Sequence, residues 1–193
     1  MRSFLIGLAL SLPFVTSASA HPAIFHELSF AAGVAHPLSG LDHIAAMVAV
    51  GMWAAMKGNR ALWLWPLTFV GVMLVGGVLG LADMPVPFVE PGILASVVVL
   101  GLMVTFAVNP PPWLGAGLIG VFALLHGHAH GTEIAHTVNG LEYVVGFVVA
   151  TVALHAVGIG LALALKGTAA GSISRLAGVA CTAVGIGMYA GVL

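Results

Sequence analysis

Six apolar runs, each long enough to cross a bilayer, follow one another along this chain, at residues 37–56, 61–81, 91–109, 113–130, 141–165 and 173–192. Spanning the hydrocarbon takes about 20 such residues. Only helices and closed barrels pair every backbone group in lipid, and runs of this length and composition suit helices. The fold expected is therefore all-α, a polytopic membrane bundle of about six transmembrane helices. Composition agrees: 61% of the residues are hydrophobic and only 6% charged, against about 25% charged in a soluble domain.

The first twenty residues have the layout of a cleavable signal peptide. Arg2 precedes an apolar stretch from Phe4 to Val15, and Ala18, Ser19 and Ala20 form a small-x-small cleavage site. Residues 1–20 are thus expected to be removed, leaving 21–193 as a single transmembrane domain. His21 would then carry a free amine beside its imidazole, a pair able to chelate metal. Pro22 has no amide proton, so the usual amino-terminal motif with deprotonated amides is unavailable.

Charge sets the orientation. The basic residues Lys57, Arg60, Lys166 and Arg175 fall in or beside two of the loops on one side, and the acidic residues Glu27, Asp42, Asp83, Glu90, Glu133 and Glu142 fall toward the other. By the positive-inside rule both mature termini lie outside, in the periplasm of a bacterial-type inner membrane. The net charge of −1 gives nucleic acid no purchase, and one cysteine, Cys181, excludes a disulfide framework or a cysteine-rich metal cluster. No phosphate loop is present, so the chain does not hydrolyse ATP by itself. Gly76-xxx-Gly80 and Gly187-xxx-Gly191 read as close helix packing, and self-association is permitted. Trp53, Trp63, Trp65 and Trp113 read as an aromatic belt at the inner edge, and Met47, Met52 and Met56 as core.

Nine histidines against five Lys plus Arg is unusual where every polar group is expensive. Two clusters hold the chemistry. One is His36-Pro37-Leu38-Ser39-Gly40-Leu41-Asp42-His43; the other runs from His126 through His128 and His130 to Glu133, with His136 beyond. Imidazole and carboxylate without thiolate suit Ni, Co, Zn or Fe better than Cu(I). His36 and His43 would share a face of a regular helix, but Pro37 and Gly40 are expected to break it, and broken helices at membrane depth commonly bind ions. His126, His130 and Glu133 fall at i, i+4 and i+7, again one face, loosened by Gly127 and Gly131. At about 1.5 Å per residue, His43 and His126 both lie roughly 20 Å from the inner surface, and His155 roughly 16 Å. The clusters can therefore meet, with His155 as a next step inward or a support. His21, His26, His128 and His136 read equally well as interfacial histidines. The candidate metal set is His36, Asp42, His43, His126, His130 and Glu133, with His21 and His155 as further candidates.

At these residues the sequence resembles the HupE/UreJ family of membrane nickel or cobalt permeases. The family motif His-Pro-x-x-Gly-x-Asp-His matches His36, Pro37, Gly40, Asp42 and His43 in full. The motif His-Gly-x-Ala-His-Gly-x-Glu matches His126, Gly127, Ala129, His130, Gly131 and Glu133. The stretch 26–53 looks especially like the urease accessory branch. The first motif also looks like the His-x4-Asp-His signature of larger nickel/cobalt transporters, with one extra residue. The resemblance implies a secondary permease, not an enzyme, importing Ni(II) or Co(II) to supply urease or a nickel hydrogenase, with no organic cofactor. Ligation needs neutral imidazole, so uptake is expected to weaken in acid. Rival readings are a b-type haem protein with two of His43, His126 and His155 as axial ligands, a membrane metalloenzyme using Glu133 as base, and a metal-binding accessory subunit that transports nothing.

Overall fold

The computed structural model describes residues 29–134, 140–165 and 170–193. Residues 1–20, expected to be a signal peptide, and His21, His26, His136 and Lys166 lie outside them. Seven helices make up the described chain: α1 (Phe30–Ser39), α2 (Leu41–Lys57), α3 (Ala61–Leu81), α4 (Val89–Thr105), α5 (Pro112–Ile134), α6 (Gly140–Ala164) and α7 (Ala170–Tyr189). Four of them, α3, α5, α6 and α7, are long and apolar enough to cross a membrane individually. The pair α1–α2 forms a fifth candidate span, bent by 85° at one residue. With 17 residues, α4 stands at the lower limit for a span. Each of the six apolar runs thus becomes a helix, the first extended upstream by α1.

The bend has a local cause. Ser29 caps α1 by accepting the amide of Ala32 at 3.2 Å. Pro37 then removes a donor from the last turn. The Ser39 hydroxyl donates to the His36 carbonyl at 2.7 Å, occupying an acceptor near the end of α1. Gly40 is extended, at φ −97° and ψ 123°, and its carbonyl opens α2 by accepting the Ile44 amide at 3.1 Å.

Both halves of the bent pair are clamped on α6 through glycine. A Cβ on Gly33 would collide with the Tyr143 carbonyl, and one on Gly146 with the Phe30 carbonyl; lower down, Gly51 and Gly158 stand in the same relation to His155 and Val48. Helices α3 and α5 close in the same way, with Gly76 against Leu124, Gly127 against Met73, Gly80 against His128 and Gly131 against Gly77. Gly127 and Gly131 therefore do not loosen α5. They let it approach α3 backbone to backbone, as small residues do in membrane bundles. The Gly187/Gly191 pair does something else. Gly191, at φ +67°, lies past the end of α7, and Gly187 faces Leu193 of the chain's own end.

The core contains two of the four tryptophans expected in the belt. Trp53 and Trp65 are fully buried, ring centroids 4.3 Å apart, and their indole N–H groups donate to the carbonyls of Val108 and Pro112 at 2.7 and 2.8 Å. Both hold the loop between α4 and α5, while Trp63 and Trp113 remain exposed as a belt requires. Lys57 donates to Asn109 of the same loop. Met47 and Met52 fill the core.

Gly51→Ala should push α2 off α6 and lower stability by about 1–3 kcal/mol, the usual effect of overpacking. Gly71→Ala should leave stability equal or slightly higher, since a Cβ there meets nothing within 4 Å and alanine is the better helix former. Thermal unfolding of the two purified variants in one detergent checks the contrast.

Candidate metal centre

Asp42 stands in the first turn of α2, where the amides lack helical partners and the dipole favours an anion. Its Oδ1 accepts the His43 amide at 2.8 Å and the His43 Nδ1–H at 2.7 Å. One oxygen thus takes up a free amide of the first turn and holds the imidazole by Nδ1, leaving Nε2 available as a ligand atom. Gly40 makes room for this. A Cβ there would stand 2.5 Å from Asp42 Oδ1 and 2.8 Å from His43 Nδ1.

On α5, Glu133 does for His130 what Asp42 does for His43. Its Oε2 lies 3.3 Å from His130 Nδ1, one turn away on the same face, and 3.5 Å from His36 Nε2. The Nε2 atoms of His43 and His130 then face each other at 2.6 Å. Where each Nδ1 donates to its carboxylate, both Nε2 atoms are left as acceptors, and a cation or a shared proton between them satisfies both. At about 2.0–2.1 Å per imidazole bond, an ion would spread neighbouring ligand nitrogens to roughly 3 Å, a small opening. His36, at the end of α1, completes the group: it offers a ligand nitrogen that lies, with those of His43 and His130, within 4.8 Å of the others. Its ring centroid is 6.0 Å from that of His43 and 4.7 Å from that of His130.

The three imidazoles meet across the bend, from α1, α2 and α5. His36 and His43 do so through the elbow at Gly40, without a shared helical face. Asp42 and Glu133 stand behind the rings as hydrogen-bond partners, an arrangement typical of histidine ligands. Exposure falls inward, with side-chain values of 55% at Glu133, 31% at His36, 10% at His43 and 7% at His130.

The remaining sequence candidates are placed differently. His126 is fully buried one turn behind His130, its Nε2 paired with Ser96 of α4 at 3.0 Å and its ring 5.2 Å from His43. His155 on α6 lies against Phe69, centroids 5.1 Å apart, and is not among the three clustered imidazoles. His128 turns to the carbonyl of Met84 at 2.8 Å and ties α5 to the α3–α4 loop. Residues that sequence reasoning missed wall the site. Phe147 packs on His130 at 4.4 Å, Tyr143 on His36 at 5.9 Å, and Ser96 orients His126. Nothing in their spacing distinguished them from other core residues. A cavity of about 130 Å³ lies beside His130, Tyr143 and Phe147, smaller than the 300–1,000 Å³ of most organic-ligand pockets.

Asp42→Asn should leave the helices in place and weaken Co(II) binding by about 10–100-fold, the range for losing a carboxylate behind a histidine ligand. Unchanged affinity in purified protein would remove Asp42 from the site.

The HupE / UreJ protein family model matches residues 8–188. Protein HupE of Rhizobium leguminosarum bv. viciae is 46% identical over 183 residues, covering 95% of this chain and 94% of its own. No solved structure matches. A match over nearly the whole chain to both places this protein in the HupE/UreJ family.

Proposed function

We propose that this protein is a secondary permease that imports a divalent transition metal, Ni(II) first and Co(II) as the alternative, across a bacterial inner membrane. The observation that carries the reading is the convergence of His36, His43 and His130 at the break between two apolar helices, two of them backed by carboxylates. In this reading the first twenty residues are cleaved as a signal, the mature termini are periplasmic, and the acidic end of the bundle faces outward. The family is consistent with delivery to urease or a nickel hydrogenase.

The residues divide the work. Glu133, the most exposed of the group, meets the hydrated ion and lowers its electrostatic penalty on entry. His36 replaces a first water. His43 and His130 replace others, each held in the ligating tautomer by its carboxylate. Asp42 and Glu133 bring two negative charges to the rim of a low-dielectric interior, offsetting the dication without binding it so tightly that it cannot leave. The membrane potential then supplies about 2.3 kcal/mol per elementary charge per 100 mV in the inward direction. The 2.6 Å approach of His43 to His130 and the 5.2 Å between the ring centroids of His43 and His126 leave no slot for a porphyrin between either pair.

Cells expressing the wild-type chain should accumulate radioactive nickel, and an Asp42→Ala/His43→Ala variant at matched membrane abundance should not. Cobalt, zinc and copper as competitors rank the ions. Metal binding by well-folded wild type without accumulation would make the chain an accessory subunit instead.

A further inference from the structure

Four side-chain atoms among the described residues are buried and lack a hydrogen-bond partner: His126 Nδ1, Thr151 Oγ1 and both ring nitrogens of His155. Buried polar groups are normally paired, and an unpaired one calls for a ligand, a water or an ion. An imidazole with neither nitrogen engaged is the more unusual because the neutral ring carries a lone pair as well as a donor. These atoms belong to three residues on two helices, and one ring, that of Phe69, lies against both histidines.

Depth follows from the helices. His126 is one turn from His130 along α5, roughly 6 Å deeper. The His155 carbonyl lies against Gly51, which is eight residues beyond His43 in α2, roughly 12 Å deeper. Side chains lean toward the N-terminus of their own helix. The N-terminus of α6 is at the Glu133 end of the bundle and that of α5 is at the other. The ring of His155 therefore leans up toward the outer cluster, and the ring of His126 leans down. The phenyl ring of Phe69 touches both, at centroid distances of 5.8 Å from His126 and 5.1 Å from His155. Thr151 is one turn above His155 on the same face of α6 and fully buried.

We infer that His155, with Thr151 and the free nitrogen of His126, forms a second, inner station for a divalent transition-metal cation. Neutral imidazole is the ligand here as it is outside, joined by one hydroxyl, but among the described residues no carboxylate pairs with these atoms, so the station holds a dication less tightly than the outer cluster. A weaker deeper station is what passage requires, because a tight one would trap the ion. His126 links the two, with its ring 5.2 Å from His43 on one side and against Phe69 on the other. The role in transit rests on the permease reading; the existence of a second binding site does not.

Co(II) titration of the full chain in lipid nanodiscs, followed by calorimetry and visible absorption, separates the two. Wild type should bind a tight equivalent and a weaker second one. His155→Leu should lose the second and keep the first, and its nickel uptake in proteoliposomes should fall; retention of the first equivalent shows that the variant is folded. Should His155→Leu lose both, His155→Gln decides, because it keeps the volume and a weaker donor: the first equivalent should remain and the second should weaken. A single equivalent in wild type, or a second equivalent unchanged in the variant that folds, overturns the station. A second equivalent lost in His155→Leu while wild type accumulates no nickel upholds the station and sinks the permease instead.

Discussion

One carboxylate oxygen carries the geometry of the outer site. Asp42 Oδ1 accepts both the amide and the ring N–H of the residue that follows it. The first bond satisfies an amide in the opening turn of α2, where the chain has just turned by 85°. The second fixes the ring of His43 so that its Nε2 faces His130. A break in a transmembrane helix leaves backbone groups without partners, a heavy penalty in lipid unless side chains take them up. Here the group that repairs the break is also the group that orients the ligand, so the bend and the site are one feature.

Precision of this kind needs helices that cannot drift. Glycine supplies it twice, by bringing α6 against both halves of the bent pair and α5 against α3. Contacts between backbones fix depth better than contacts between long side chains, which can change rotamer. The depth at which His130 of α5 meets His43 of α2 is set by these two seams, together with the aromatic walls from α6. The glycines that flank the histidines thus fix a distance between helices: Gly40, Gly127 and Gly131 each lie against the site or against the seam that carries it.

Polarity then declines along the bundle. Glu133 and His36 are open, His43 and His130 nearly closed, His126 and His155 buried. Among the described residues the carboxylates paired with these histidines, Asp42 and Glu133, stand at the open end. A dication moving inward would exchange charge neutralisation for neutral nitrogen ligands, with the transmembrane potential compensating for the carboxylates left behind.

Much of this was legible in the chain itself. Apolar runs of bilayer length leave little choice but helices, so α3 appeared at its expected bounds and the break was marked by Pro37 and Gly40. The histidines and carboxylates that the fold gathers at the break were singled out too, because imidazole and carboxylate are expensive in lipid and stand out against leucine and valine. What distance in sequence cannot express is who stands in front of whom. His36 and His43 came together through an 85° elbow rather than along one face, Asp42 and Glu133 took places behind the rings, and His126 fell one turn behind His130, paired with Ser96. Two tryptophans assigned to the interface became core, and glycines read as loose joints became the tightest contacts. Residue type and spacing determine which groups must be hidden from lipid; only the packing of helices from distant parts of the chain decides which nitrogen faces which, because that depends on how closely two backbones can approach.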